Sequence, residues 1–208
     1  MPDQKEAVRR AYDEMGEVYA AERASEIGLL DELTDRISGE ARILDAGCGQ
    51  GEPVTAYLSS RFDVVGVDFS RGRLRLARKT APEAALVQGD MTSLGFAANT
   101  FDGICAYYSI IHVPIKEHRA VFEEFARVLR PGGALLITVG DDAWEGSNPD
   151  WLESGIEMQW SFPELRRTRQ YLSDAGFEAV KQWTAEDNLN DGGDDDDGGF
   201  RFLLVRLA

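Results

Sequence analysis

A chain of 208 residues, of which 43% are hydrophobic and 28% charged, has the size and composition of a folded globular domain and not of a disordered or fibrous protein. The formal net charge of −15 argues against nucleic acid as a partner, because an acidic surface repels phosphate backbones. No apolar run is long enough to cross a membrane, and the polar N-terminus MPDQKEAVRR lacks the apolar region of a secretory signal. We therefore expect a cytoplasmic protein with neither a nucleic acid nor a membrane as partner.

The two cysteines, Cys48 and Cys105, lie in apolar runs without the CxxC spacing or the histidine cluster of a zinc site. They are expected to be reduced, buried thiols, and no metal site is predicted elsewhere. The one dense basic stretch, RGRLRLARK at residues 71–79, has helical spacing. A solvated helix face is the favoured interpretation of this stretch, and a groove-binding role is the alternative.

In chain order, residues 3–25 predict a helix, because Val8, Tyr12, Met15 and Tyr19 recur at intervals of three and four residues. Residues 26–37 predict a second helix. Strand and helix patterns then alternate, with strands at 41–46, 62–68, 84–90, 101–109 and 132–140, and helices at 52–60, 71–79 and 116–129. Near-continuous apolar strands that alternate with helices are typical of a parallel sheet covered on both faces, so the pattern predicts an α/β, doubly wound fold.

The alternation lapses from residue 141 to residue 162, over a length that is typical of a lid or a binding loop. Three tryptophans lie in this segment, Trp144, Trp151 and Trp160. After it, residues 163–176 predict a helix that ends at Gly176, and two strands, 177–185 and 200–208, flank a turn. Four consecutive aspartates in that turn, 194–197, lack the spacing of a calcium loop, so a solvated turn is favoured over a calcium site.

A glycine-rich stretch, ARILDAGCGQGEPVTAYL (41–58), joins the first predicted strand to its helix. The spacing of Gly47, Gly49 and Gly51 differs from the G-x-G-x-x-G of dinucleotide-binding loops, and Glu52 stands where the third glycine is needed. An acid at a helix N-terminus opposes a diphosphate, and no Gly-Lys-Ser/Thr follows as in a P-loop. The loop instead suits a phosphate-free ligand with a cationic group, which Asp45 at the strand end can pair with.

Acidic residues also follow the second and third predicted strands. Asp68 ends VVGVD and is placed to accept two ribose hydroxyls, and Asp90 ends VQGD and is placed to accept from an exocyclic amine. The backbone N–H of Met91 is in position for a ring nitrogen. One extended nucleoside that carries an amino acid could bind at all three strand ends, with its amino acid at the first, its ribose at the second and its base at the third.

Five segments at these positions resemble the class I S-adenosylmethionine-dependent methyltransferases: ILDAGCGQGE (43–52), VVGVDFS (64–70), VQGDM (87–91), FDGICAYYSIIHV (101–113) and VLRPGGALLI (128–137). The resemblance implies a single Rossmann-like domain over 1–208, with a seven-stranded, mostly parallel sheet of order 3-2-1-4-5-7-6 and an antiparallel strand 7. It further implies a helical cap (1–38), a cofactor-binding core (41–140), a lid or acceptor insertion (141–162) and a C-terminal helix with a β-hairpin (163–208). S-adenosyl-L-methionine is the implied cofactor.

The resemblance also assigns cofactor-binding residues, some of them to parts of the cofactor. The methionine part falls to Asp45, Gly47, Gly49 and Gly51, the ribose to Asp68, the adenine to Asp90 and Met91, and the amino group to the backbone at Ala106 or Tyr107; Cys48 and Phe69 complete the set. In similar sequences the N-terminal helix closes over the cofactor, which makes Tyr12 and Tyr19 lid candidates. Core aromatics at helical spacing are the alternative interpretation of these two tyrosines.

Methyl transfer is an in-line displacement, so the protein mainly positions the two partners, and a base is needed only if the acceptor arrives protonated. His112, which follows the fourth strand, is the candidate base, with a packed structural ring as the alternative. Tyr108 is a second catalytic candidate, and Ser109 and Trp160 are candidates for acceptor contact and lid, with a core role open for Trp160. His118 lies in a charged helix and is expected at the surface.

The expected acceptor is a small molecule, because AYYS replaces the Asn- or Asp-Pro-Pro-aromatic motif that the family's nucleic-acid amine methylases carry at strand four. The sequence leaves open whether O, N, S or C is methylated, and it leaves the oligomeric state open. A cofactor-binding regulatory module without turnover is the first alternative, and a nicotinamide-dependent oxidoreductase is the second.

Overall fold

Alternating strands and helices build the sheet that the apolar pattern predicts. The computed structural model describes residues 4–15, 27–185 and 199–208, so Tyr19, the aspartates 194–197 and almost all of the turn before the last strand lie outside the described residues. The described helices are α1 (Gln4–Met15), α2 (Gly28–Thr34), α3 (Val54–Ser59), α4 (Arg71–Thr80), α5 (His118–Val128) and α6 (Leu165–Asp174). The described strands are β1 (Arg42–Ala46), β2 (Asp63–Asp68), β3 (Ala85–Gln88), β4 (Phe101–Ala106), β5 (Leu129–Gly140), β6 (Trp144–Asn148), β7 (Met158–Phe162), β8 (Phe177–Thr184) and β9 (Phe200–Leu207).

The main sheet has seven strands in the order β3-β2-β1-β4-β5-β9-β8, and β9 runs antiparallel to both of its neighbours. β6 and β7 pair with each other outside this sheet. Counted within the main sheet alone, β8 is the sixth strand and β9 the seventh. The predicted order 3-2-1-4-5-7-6 with an antiparallel strand 7 is therefore confirmed. Because β1 to β5 are parallel, their carboxyl ends meet at one edge, where ligands bind in sheets of this type.

Helices cover both faces of the sheet because the central strands are apolar on both sides. Leu30 and Leu33 of α2 pack with α3 on one face, and Phe122 and Phe125 of α5 pack against β4 and β5 on the other. These four side chains are fully buried. Burial of each such Leu or Phe side chain stabilises the fold by on the order of 1.5–3 kcal/mol relative to exposure. Packing on both faces therefore stabilises the sheet whose carboxyl edge carries the loops.

Segment 141–162 is a hairpin, although its sequence shows no strand alternation. β6 and β7 pair antiparallel from Trp144↔Phe162 to Asn148↔Met158. The hairpin folds onto the end of β5 because Gly140 has no side chain: a Cβ there would lie 2.0 Å from the ring of Phe162. The other side of the hairpin packs on α1, where Val8 and Met15 form a small apolar cluster with Trp151 and Met158.

His118 is buried, and the expectation that it lies at the surface is wrong. Only 2% of the residue is exposed, and its Nε2 lies 2.8 Å from the carbonyl oxygen of Val113 and 3.1 Å from that of Ser161. Because both partners only accept, Nε2 carries the proton and donates to them. Burial lowers the pKa of His118, so the ring stays neutral under the hairpin.

Within the described residues, no helix has the length and apolar character needed to cross a bilayer. The predicted cytoplasmic location stays a prediction.

Candidate active site

The glycine loop lies between β1 and α3 and is held against the tip of β2. The backbone N–H groups of Gly47 and Cys48 both donate to the carbonyl oxygen of Val67, at 2.7 and 3.0 Å. Gly47 has a φ of +84°, and a Cβ there would lie 2.2 Å from the Cβ of Ser109. Only glycine combines this left-handed backbone with so close an approach, so the loop meets the segment that follows β4.

Asp45 lies beneath the loop and does not line the cleft that the loop borders. It is 2% exposed, and its Oδ2 accepts a hydrogen bond from the hydroxyl of Thr55 at 2.6 Å. Burial raises the pKa of Asp45 to about 7. The structure thus gives the carboxyl a bond to α3, where the sequence suggested a contact with the methionine part of the cofactor.

Cys48 and Gly51 pack the glycine loop against β2 and α4, respectively. A Cβ on Gly66 of β2 would lie 3.0 Å from the sulfur of Cys48, so the thiol fills the space over that glycine. Burial raises the pKa of this thiol well above its usual value, which makes it unreactive. Gly51, with a φ of +89°, lets the loop pack on Ala77 and Thr80 of α4.

One cleft at the carboxyl edge of the sheet brings together the predicted site residues other than Asp45, Cys48, Gly51 and Trp160, within the part of the chain that the structure describes. Those that line it are Tyr12, Gly47, Gly49, Asp68, Phe69, Asp90, Met91, Tyr107, Tyr108, Ser109 and His112. Two charged lining residues, Lys5 and Arg73, were not predicted from the sequence. Residues from α1, the glycine loop and three strand ends therefore share one site.

Asp68 occupies the tip of β2 with acceptor capacity to spare. Its two carboxylate oxygens accept the backbone N–H groups of Gly49, at 2.9 Å, and Ser70, at 2.8 Å. A carboxylate has about four acceptor positions, so these bonds leave room for two further donors such as ribose hydroxyls. Burial raises the pKa of Asp68 to about 6, against the opposing effect of these two backbone bonds.

Asp68→Ala is expected to weaken binding of S-adenosylhomocysteine by about 1–3 kcal/mol, because it removes a buried acceptor and leaves two loop N–H groups without one. Isothermal titration calorimetry measures the change. Asp63→Ala, at the exposed start of the same strand, is the matched control and should bind normally. An unchanged affinity in Asp68→Ala would contradict a role for Asp68 in binding the ribose.

Asp90, at the end of β3, shares its carboxylate with α1. Its Oδ2 accepts from the ammonium of Lys5 at 2.7 Å, and its Oδ1 accepts from the N–H and the hydroxyl of Thr92. Burial opposes ionisation, but these hydrogen bonds prevail and lower the pKa of Asp90. Lys5 also pairs with Glu117, so a single lysine joins α1 to two loops at the cleft.

Tyr12 and His112 form a hydrogen-bonded pair across the cleft wall. The Tyr12 hydroxyl lies 2.8 Å from Nε2 of His112, and Nδ1 of His112 lies 2.9 Å from the carbonyl oxygen of Gln159 on β7. A carbonyl only accepts, so Nδ1 carries the ring proton and Nε2 accepts from the tyrosine. The ring thus offers its lone pair toward α1, while the hairpin holds its other side.

Tyr108 and Ser109 shape the turn after β4. Tyr108 has a φ of +46°, which is unusual for a bulky side chain and costs on the order of 1–3 kcal/mol. Its ring packs edge-on against Phe200 and Phe202 of β9. The hydroxyl of Ser109 donates to the carbonyl of Ala46 at 2.7 Å, which ties the ends of β1 and β4 together.

Trp160 does not line the cleft but packs behind His112. The two ring centres are 5.8 Å apart at an angle of 35°, and Trp151 meets Trp160 edge-on at 5.3 Å. Tyr12 in turn contacts Trp151 at 6.3 Å. The tryptophans therefore support the Tyr12–His112 pair from the hairpin side.

A family model described as a methyltransferase domain matches residues 43–133, which span the glycine loop and all three strand tips of the cleft. Over these residues the chain is similar to a methyltransferase domain, and its relatives support membership of the class I S-adenosylmethionine-dependent methyltransferase family. The cofactor predicted from the sequence, S-adenosylmethionine, is the cofactor of this family.

Several relatives of this chain are named as methyltransferases of small molecules. The chain is 30% identical over 158 residues to the demethylmenaquinone methyltransferase of Paenarthrobacter aurescens, covering 65% of this chain and 62% of that protein. It is 32% identical over 155 residues to 24-methylenesterol C-methyltransferase 2 of Oryza sativa, covering 68% of this chain and 42% of that protein. The chain thus spans less than two thirds of the length of either relative.

Among solved structures, the cyclase SpnF superposes with a TM-score of 0.72 at 20% identity, covering 98% of this chain and 95% of that chain. Such a likeness establishes the fold alone. Because one neighbour within this fold is described as a cyclase, the activity of this chain has to be argued from its own site.

Proposed function

We propose that this protein is a methyltransferase that moves the methyl group of S-adenosylmethionine to a small-molecule acceptor. The observation that carries the proposal is the Tyr12–His112 pair, which borders the same cleft as the glycine loop and Asp68. A base beside the site of an activated methyl group is what transfer to a protonated acceptor requires.

The residues of the cleft fit the cofactor by their chemistry. Gly47 lets backbone approach closely, Asp68 retains acceptor positions for hydroxyls, and the Met91 N–H and Asp90 carboxylate stand at the adenine end. When bound, the cofactor supplies an electrophilic methyl group on a sulfonium. No metal ion is needed in this scheme.

Proton removal falls to the Tyr12–His112 pair. As the acceptor oxygen or nitrogen bonds to the methyl carbon, its proton passes to the Tyr12 oxygen, and the Tyr12 proton passes to Nε2 of His112. The imidazolium that results keeps its Nδ1–H bond to the carbonyl of Gln159, which stabilises the positive charge. Tyr108 and Ser109 border the same space and are the proposed acceptor contacts.

The acceptor is proposed to be largely apolar with one ionisable group. Tyr108 and Val113, which line the cleft together with His112, present aromatic and aliphatic surface there. The names of the relatives, a quinone and a sterol methyltransferase, support an acceptor of this kind. The hairpin of segment 141–162, backed by Trp160, is the proposed cover on the acceptor side, with α1 as the cover on the other.

A cofactor-binding module without turnover is the second candidate. It is favoured by the engagement of both ring nitrogens of His112 in hydrogen bonds within the protein. This candidate needs the same cofactor contacts but no proton transfer, so acceptor-dependent turnover separates the two. The match to a methyltransferase domain argues against the nicotinamide-dependent alternative.

The proposal is tested by calorimetric titration with S-adenosylmethionine, S-adenosylhomocysteine and NAD in parallel, at low and high salt. Micromolar binding of the first two without binding of NAD is the expected result. A panel of phenols, hydroquinones, amines and thiols with methyl-labelled cofactor then tests for turnover. Binding of NAD alone would contradict the cofactor assignment, and cofactor binding without label transfer to any class would favour the non-catalytic module.

A further inference from the structure

One basic residue of α4 is buried where its neighbours are exposed. Arg73 is 1% exposed, while Arg71, Arg75, Arg78 and Lys79 of the same helix face solvent. The expectation of a solvated basic face holds for those four and fails for Arg73. Ser70 caps the helix by accepting the N–H of Arg73 at 3.0 Å, which sets the first turn so that this side chain points toward the cleft.

The guanidinium of Arg73 lies between the glycine loop and α1. Its Nη1 is 3.4 Å from the side-chain oxygen of Gln50 in the loop, and its Cζ is 5.3 Å from the ring centre of Tyr12. The residue lines the cleft together with Gly47, Gly49 and Tyr12. It therefore borders the part of the cleft at the glycine loop, where the amino-acid part of the cofactor is expected.

Arg73 brings a cation to this part of the cleft and is withdrawn from water. A buried cation is costly unless anionic groups are close. The carboxylate of Asp68 interacts electrostatically with it. Asp13 lies at the N-terminus of the same helix, where it accepts from the Ser70 hydroxyl at 2.6 Å and from the Gly72 N–H at 2.9 Å. The cofactor has one anionic group, the carboxylate of its methionine part.

We propose that Arg73 binds the carboxylate of the amino-acid part of the cofactor, an inference that rests on the proposed function. A guanidinium offers planar paired donors that match a carboxylate. The same contact would fix the guanidinium beside the Tyr12 ring and so hold Tyr12 against His112. Arg73 thus acts as a specificity residue, which separates nucleosides that carry an amino acid from those that lack one.

The test compares two ligands that share the adenosine and the sulfur. S-adenosylhomocysteine has the amino acid, and 5′-methylthioadenosine lacks it, so the ratio of their dissociation constants isolates the carboxylate end. In Arg73→Met we expect S-adenosylhomocysteine to bind about 10- to 100-fold more weakly and 5′-methylthioadenosine to change by less than about twofold. Arg73→Lys keeps the charge and should fall between the two, and Arg75→Met, on the exposed face, is the matched control.

Calorimetry gives the dissociation constants, and thermal unfolding of each variant shows that it is folded. Equal weakening of both ligands in Arg73→Met and Arg73→Lys would overturn the proposal and make Arg73 a support for α1 and Asp68. Unchanged binding of both ligands would overturn it as well. Failure of the unaltered protein to bind S-adenosylhomocysteine would instead overturn the proposed function itself. If Arg73→Met does not fold, the ligand ratio of Arg73→Lys decides.

Discussion

Replacing His112 with alanine is expected to lower the rate of methyl transfer by about 10²- to 10⁴-fold, which is the usual contribution of a positioned general base. Cofactor affinity should stay within about threefold, because the ring borders the proposed acceptor side of the cleft and not the strand tips that are proposed to hold the nucleoside. Single-turnover transfer of a labelled methyl group, at saturating cofactor, measures the chemical step.

Two conservative variants separate the roles of the two ring nitrogens. His112→Asn keeps a donor near the Nδ1 position for the carbonyl of Gln159 but loses the acceptor for Tyr12, whereas His112→Gln places its amide near the Nε2 position. Neither amide is a base at neutral pH, so both variants should be slow and should lose the rise of rate with pH that a titrating base produces. Tyr12→Phe should slow the reaction without adding further loss to His112→Ala, because the two residues act as one unit.

The opposite result would be equally informative. If His112→Ala lowers cofactor affinity and rate together, the ring is a packing residue between Tyr12 and Trp160, as its place among the aromatic side chains allows. A variant with an unchanged rate would show that the acceptor reaches the site already deprotonated.

Asp45→Asn is expected to flatten the dependence of the unfolding free energy on pH between about pH 4 and pH 7. Burial raises the pKa of Asp45 from 3.8 to about 7 in the folded protein. Between these values the folded state holds a proton that the unfolded state lacks, so stability is lost as the pH rises through this window. A shift of this size corresponds to about 4 kcal/mol. The asparagine variant has no titrating group at this position and therefore lacks this dependence.

Two other buried groups also contribute to the dependence of the unfolding free energy on pH, and both remain in the Asp45→Asn variant. Asp68, whose pKa is raised to about 6, changes stability in the same direction and remains in the Asp45→Asn variant. His118 acts in the opposite direction, because its lowered pKa lets the unfolded state bind more protons below its usual value of 6.5.

Urea unfolding at constant ionic strength, without cofactor, measures the effect. Asp63→Asn, on an exposed position of the neighbouring strand, is the control and should leave the curve unchanged. If Asp45→Asn and the unaltered protein show parallel curves, the carboxyl of Asp45 is ionised in the folded state and its bond to Thr55 is a charged one.

Local patterns in the sequence predicted the alternating strands and helices, the glycine loop and the acids at the strand tips, whereas the strand order was predicted from the family resemblance. Buried parallel strands need near-continuous apolar runs, and a loop that meets another backbone needs glycine, so both features are visible in short stretches of sequence. Asp68 and Asp90 follow their strands directly, and the parallel arrangement brings such ends to one edge whatever the details of packing. These parts of the site were predictable because each depends on residues close together in the chain.

Only the tertiary structure decided which side chains complete the cleft. Tyr12 and His112 are 100 residues apart, and Lys5 reaches Asp90 across 85 residues. His118 and Arg73 stand among charged neighbours that predict a surface, and both are buried because a hairpin or the N-terminal helix covers them. Sequence spacing shows which face of an element a residue occupies, but burial depends on what packs over that face, and this is a property of contacts between distant segments.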